Sequence, residues 1–221
     1  MRDFSRPDVL ARSALATVVC TLGCVPKLML WTRRPESILV LAGVLGWCLF
    51  VMWGFVFAWS FKHGAIHPLQ APAGGKRWAG LTVGGVIAGI LLTLFVDGEY
   101  RRLFPTEAPT SLSSWTAGLL FSLALQQLFF CFAPMAFLAR LGAGPRTAIG
   151  LTVALSLLVL TMKLRRSPVE IATLAIPTFV VARGGLAFAA VVIYRWNGVL
   201  AVAWFTLVLH LRHLPALVFG P

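Results

Sequence analysis

Ser114–Arg140 reads SWTAGLLFSLALQQLFFCFAPMAFLAR, and its reading decides the fold. The run is long and apolar enough to cross a bilayer, for which about 20 residues suffice. Two adjacent glutamines, Gln126 and Gln127, stand near its middle. An amide in hydrocarbon is costly unless something pairs with it, so such residues face other helices or a wet cavity. The pair is therefore the first candidate site. Neighbours on an α-helix diverge by about 100°, so the two amides point different ways. Cys131 follows Gln127 by four residues, on the same α-helical face. Pro134 then removes a backbone donor and is expected to bend the helix.

The rest of the chain has the same character. Its 221 residues are 59% hydrophobic and 12% charged, against about 25% charged in soluble domains. This composition describes one integral membrane domain over residues 1–221. Candidate spans are 9–31, 37–61, 78–97, 114–139, 146–163, 169–194 and 198–218. Arg12, Pro26 and Lys27 make an interfacial helix the alternative for the first of these. The expectation is an all-α polytopic transmembrane bundle of 6–7 spans. Ser114 and Ser167 read as helix N-caps, and no linker is long enough to separate two domains.

The net charge of +12 does not indicate nucleic acid. The basic residues come in short bursts between apolar runs, as in Lys76-Arg77 and Lys163-Leu164-Arg165-Arg166. Such bursts meet lipid head groups and anchor span ends. Lys and Arg divide evenly between alternate loops, so the positive-inside rule assigns no orientation. Cys20, Cys24, Cys48 and Cys131 all fall inside apolar runs and read as reduced, packed thiols. Cys20 and Cys24 share a helix face, and His63 and His67 are four apart, but neither spacing alone makes a metal site. No metal or other cofactor is expected, and no cleavable signal peptide is read at the start.

The polar residues inside spans form a short set: Gln126, Gln127, Cys131, Arg183 and His210, with Lys163 at a helix end. Arg183 is the most expensive, at about 2.5–3.5 kcal/mol in mid-membrane on insertion scales. All seven carboxylates sit at or beyond span ends, so Arg183 is expected to pair with the Gln126/Gln127 region. Gly80, Gly84, Gly85 and Gly89 give the third span two overlapping small-xxx-small faces. These let another helix approach closely, either within the bundle or from a partner protein.

The order and surroundings of these residues resemble the CPBP intramembrane proteases, also called the CAAX-protease or bacteriocin-processing (Abi) family. That family carries EExxxR on one span, FxxxH on a later one and HxxxN on the last. QQLFFCFAPMAFLARLG is similar to its EELFFRGFLLRRLG, and LTVALSLLVLTMK to the span bearing FxxxH. GLAFAAVVIYRWNGVLAVAWFTLVLHLRHL resembles the closing hairpin, in which a Tyr-Arg-x-x-Gly turn precedes the final histidine. The resemblance covers residues 114–214 and implies a CPBP-like core there, with residues 1–113 as variable N-terminal spans. Gln126 and Gln127 stand in place of the glutamates, Cys131 of the arginine, Val159 and Lys163 of the Phe and His, and Leu214 of the asparagine. Of the polar motif residues only His210 is kept.

The resemblance thus implies a family position without the family's chemistry. An amide cannot accept the proton that a glutamate takes from an attacking water. The expected function is that of a pseudoprotease, a scaffold or subunit of a membrane complex, bound to lipids and other membrane subunits in a bacterial inner membrane. One alternative is a protease whose two glutamates were replaced by design, though the arginine, first histidine and asparagine would still be missing. Another is thiol chemistry, with Cys131 as nucleophile, His210 as base and Gln127 as oxyanion donor. The last is transport of a small solute or lipid.

Overall fold

Residues 3–32, 34–60, 68–167 and 175–218 are described in a computed structural model. Among them no strand occurs, and six helices are long and apolar enough to cross a membrane. The chain is an all-α polytopic bundle.

Helices α1 (Pro7–Trp31) and α2 (Pro35–Trp59) each start on a proline, whose missing N–H is no loss in a first turn. They form an antiparallel hairpin. Phe4, just before α1, packs edge-on against Phe50 and Phe55 near the end of α2. Gly54 makes room for the ring, because a Cβ there would overlap it. Gly46 lies against Thr21 further along the pair. Arg12, Pro26 and Lys27 are all accommodated in a single 25-residue helix, with Pro26 inside it, that is long and apolar enough to cross a membrane.

Helix α3 (Gly75–Phe95) leads into the short α4 (Asp97–Leu103). The central span, Leu112–Arg140, is compound. It opens with α5 (Leu112–Phe121), capped by Ser111 rather than by Ser114. The Ser111 hydroxyl accepts from the Ser114 N–H at 3.2 Å, and the Ser114 hydroxyl accepts from the Ser111 N–H at 3.0 Å. This reciprocal box satisfies two orphan donors, and a run of three serines at 111, 113 and 114 hides which one leads.

Two π-helical turns follow, Ser122–Gln126 and Leu128–Phe132, before α6 (Ala133–Arg140). Gln127 N–H donates to Ser122 O, and Ala133 N–H to Leu128 O, each five residues back. Pro134 has no N–H to offer the Phe130 carbonyl, so the ordinary ladder is interrupted directly after the second widened turn. The two widened turns lie upstream of Pro134, where the sequence led one to expect a bend.

Helix α7 (Pro145–Arg165) is followed by α8 (Ala175–His210). The latter is two arms joined at Gly198, whose φ of 79° and ψ of −175° break the helix. Positive φ comes at little cost only to glycine. The chain reverses here: Phe179 meets the Tyr100 ring, while Arg212 bonds Asp97, one α4 turn away. A straight helix would separate residues 179 and 212 by roughly 50 Å. The reversal is pinned by the Val199 N–H donating to Pro68 O at 2.8 Å. The sixth apolar segment therefore crosses twice, as the Asn197-Gly198 pair suggested. A 3-10 turn, Leu211–His213, and α9 (Leu214–Val218) complete it.

The main core gathers Leu49 and Val56 of α2, Leu128 and Phe132 of the widened turns, and Val191 and Val202 from both arms of α8. Helix α3 lies on the returning arm. A Cβ on Gly85 would fall 2.8 Å from Val208 Cγ1, and one on Gly89 3.5 Å from Arg212 Cβ. Gly84 faces Phe205, and Gly80 faces open space. The glycine stripe is thus occupied from within the bundle, and only Gly80 is left for anything else.

Candidate functional site

Gln126 stands 14 residues into the 29-residue central span, at its middle. Its side chain is exposed at the bundle surface, and that of Gln127 is half-buried. Among the described residues neither amide makes a side-chain hydrogen bond. Because the turns on either side of Gln127 are π-helical, the face shared by residues 127 and 131 in an α-helix is not kept. Cys131 is 1% exposed and belongs to the core with Phe132 and Tyr194. The Tyr194 hydroxyl shares a 2.8 Å hydrogen bond with Ser60.

The expected pairing of Arg183 with the glutamines does not form. The guanidinium lies over the Phe130 ring, 4.9 Å from its centroid, a cation–π contact. No carboxylate, carbonyl or hydroxyl of the described residues accepts from it. Gly184, beside it, lets Leu157 of α7 come within 3.6 Å of where a Cβ would be.

The strongest polar constellation lies elsewhere, at the end of the bundle capped by α4. Lys163 Nζ donates to Glu107 Oε2 at 2.5 Å and to the Tyr100 hydroxyl at 2.7 Å. The Tyr100 hydroxyl donates to the same carboxylate oxygen at 2.6 Å. The ammonium also lies over the Phe104 ring, 4.2 Å from its centroid. Burial would raise the Glu107 carboxyl, but the bonds from Lys163 and Tyr100 outweigh it and hold it below its ordinary range. Burial, with Glu107 accepting its proton, pushes the Tyr100 phenol up.

Beside it, Arg212 Nε donates to Asp97 Oδ2 at 3.1 Å and Nη2 to Oδ1 at 3.4 Å. Trp115 Nε1 donates to the His210 carbonyl at 3.0 Å. These bonds tie the α3–α4 junction and the start of α5 to the end of α8. His213 Nδ1 stands 3.9 Å from Asp97 Oδ2, beyond a hydrogen bond.

The five motif positions therefore do not converge. Gln126, Gln127 and Cys131 lie deep in the central span, whereas Lys163 is in the last turn of α7 and His210 at the end of α8. The His210 carbonyl is bonded to Trp115, 16 residues before Cys131 on the same span, a distance of roughly 20 Å. A thiol attack by Cys131 with His210 as base is excluded by this separation. Lys163, read as a substituted catalytic position, is an ion-pair residue.

The sequence reading missed Tyr100, Glu107 and Asp97 as partners of Lys163 and Arg212. The one clue was that acidic residues at one span end faced basic residues at others, and a single sequence does not pair loops. His63, His67 and the start of the segment after Ser167 lie outside the described residues. Among the described residues no group of three His, Cys, Asp or Glu side chains could hold a metal. At the opposite end, Arg77, Gly80, Leu81, Trp196 and Asn197 line an open groove of about 370 Å³. No protein family, characterised protein or solved structure matches the chain.

Proposed function

We propose that the protein is a non-catalytic membrane subunit that holds a partner's transmembrane helix, and that its residues 114–214 are a CPBP-like core that has lost protease chemistry. A bacterial inner membrane is the proposed setting. The observation that carries this reading is Gln126: an amide at mid-span, on the bundle surface, with no side-chain hydrogen-bond partner among the described residues. In hydrocarbon, an unpaired amide costs several kcal/mol on transfer scales without hydrogen-bonding solvent. A neighbouring helix that offers an amide or hydroxyl at the same depth removes that cost, at about 1–2 kcal/mol per interhelical bond. Phe129, 40% exposed beside it, adds an aromatic surface for such a helix. The absence of a carboxylate among the mid-span polar residues agrees with gripping rather than hydrolysis.

The test uses the full chain in a mild detergent. A photo-crosslinking side chain at position 126 should give one discrete protein adduct, and the same group at Leu158, exposed on α7, should give none. Gln126→Leu should abolish co-purification of the adduct's protein while the bundle stays folded. A chain that runs as a monomer, with crosslinks to lipid alone at both positions, refutes the reading.

A further inference from the structure

An open groove lies at the end of the bundle away from α4. Its walls are Arg77, Gly80 and Leu81 in the first turns of α3, and Trp196 and Asn197 at the tip where α8 reverses. Both elements end a span here, so the groove stands at the depth of lipid head groups. Tryptophans mark the same level. Trp196 is 61% exposed, and Trp78 meets Trp204 edge-on, with Trp204 Nε1 donating to Thr82 Oγ1 at 2.9 Å. Indoles with one wet edge gather at membrane–water interfaces. The volume of about 370 Å³ falls in the range of small-ligand sites, about 300–1,000 Å³.

The groove is also basic. Arg77 lines it, Lys76 stands next to Arg77, and the Arg195 guanidinium lies over the Trp196 ring, 5.5 Å from its centroid. None of these three cations has a carboxylate partner among the described residues. Neither α3 nor α8 contains an acidic residue. Asp97, Glu99 and Glu107 stand on and after α4, at the other end. Glu36 opens α2, a full helix away from Ser60, which bonds Tyr194 beside the tip. Glu170, outside the described residues, falls in sequence between the end of α7 and the start of α8. Asp3 and Asp8 remain at this end. They belong to the start of α1, which packs on α2 and α5, and Asp8 is bonded to Arg6.

From this we infer that the groove holds the head group of an anionic phospholipid. The planar fork of Arg77 matches two phosphate oxygens, and Asn197 offers an amide donor beside it. Basic pockets between spans take anionic head groups in this way. The acyl chains have a track below. Val83, Ile87, Ile90 and Leu94 follow Gly80 at helical spacing along α3, and all four are exposed. The site does not rest on the partner-helix reading, since Gln126 lies at mid-span and the groove at a span end.

The experiment compares wild type, Arg77→Gln, Gly80→Leu and Arg146→Gln after delipidation in detergent. Each is titrated with phosphatidylglycerol, with phosphatidylcholine and with inorganic phosphate, and followed by native mass spectrometry and thermal unfolding. Wild type should retain one phosphatidylglycerol, in preference to phosphatidylcholine, and unfold at a higher temperature with it. Arg77→Gln should retain it roughly tenfold less well, the loss of a charge-assisted contact. Gly80→Leu puts a side chain into the groove from a position where a Cβ meets nothing within 4 Å. It should lose the lipid with no change of charge, while unfolding no earlier than wild type without lipid. Arg146→Gln, an exposed cation at the start of α7, should retain lipid as wild type does. Equal retention by wild type and Arg77→Gln overturns the proposal. So does an equal loss in Arg77→Gln and Arg146→Gln, which would make the attraction a diffuse property of the surface. Stabilisation by inorganic phosphate without lipid retention overturns it too, because the ligand would then be a free anion.

Discussion

Lys163 and Glu107 are 56 residues apart in sequence and 2.5 Å apart in space. The pair joins the last turn of α7 to the loop between α4 and α5, with Tyr100 bonded to both. Both side chains keep partial contact with solvent, at 31% and 46% exposure, so screening limits what the pair contributes. Lys163→Met should cost about 1 kcal/mol or less in unfolding free energy.

The same pair sets a pH dependence. Glu107 ionises at a lower pH in the folded chain than the ordinary 4.5. Its contribution is therefore complete above about 4.5, shrinks as pH falls through the depressed folded value, and is absent below it. Thermal unfolding of wild type and Glu107→Gln, compared from pH 7 downward, should show a gap that closes only under acid. A gap of constant size would mean that the carboxylate's ionisation has no part in it.

Gly85 and Gly80 should respond oppositely to added side chains. Gly85→Leu drives atoms into Val208, where even a Cβ comes within 2.8 Å, and should destabilise by about 1–3 kcal/mol. Gly80→Ala meets nothing within 4 Å and should leave the unfolding temperature unchanged or raise it slightly. Val208→Ala combined with Gly85→Ala should recover much of what Gly85→Ala alone loses.

Ser60 and Tyr194 bond across the opposite end of the bundle, both buried. Tyr194→Phe strands the Ser60 hydroxyl and should cost about 1–3 kcal/mol. Adding Ser60→Ala removes the stranded group, so the double variant should be more stable than the sum of the two single losses implies. Strict additivity would mean that the two hydroxyls do not act on each other.

Thiol accessibility tests the burial order. Cys48 is exposed on α2, Cys20 is half-buried, and Cys24 and Cys131 are buried. A maleimide should label all four thiols once the chain is unfolded in aqueous denaturant, whereas Cys24 and Cys131 should stay unlabelled in the folded protein. Fast labelling of Cys131 in folded protein would contradict the packed core around Phe132 and Tyr194.

The spans were legible because apolar length alone defines them. The segment read as 114–139 became Leu112–Arg140 and that read as 146–163 became Pro145–Arg165, shifts of one or two residues at each end. Asn197-Gly198 announced the closing hairpin because only glycine takes its positive φ easily. The site was less legible. Spacing rules assume α-helical turns, so the relation of Gln127 to Cys131 was misread through π-helical geometry that no residue pattern in the sequence marks. Lys163 drew notice as a polar residue near a span, but its partners lie 56 and 63 residues earlier in sequence. Arg183 was recognised as costly from sequence, and its neighbour is an aromatic face that charge-matching logic does not search for.

The widened turns between Ser122 and Phe132 have one more consequence. A π turn holds a residue that an ordinary turn of the same rise would not, so each behaves as a tolerated insertion in an otherwise regular rod. Removing one residue there would let the coil tighten to an ordinary turn while the helical stretches on either side keep their facing. A single codon could thus change which side chain the middle of this span shows to the outside, without moving either of its ends.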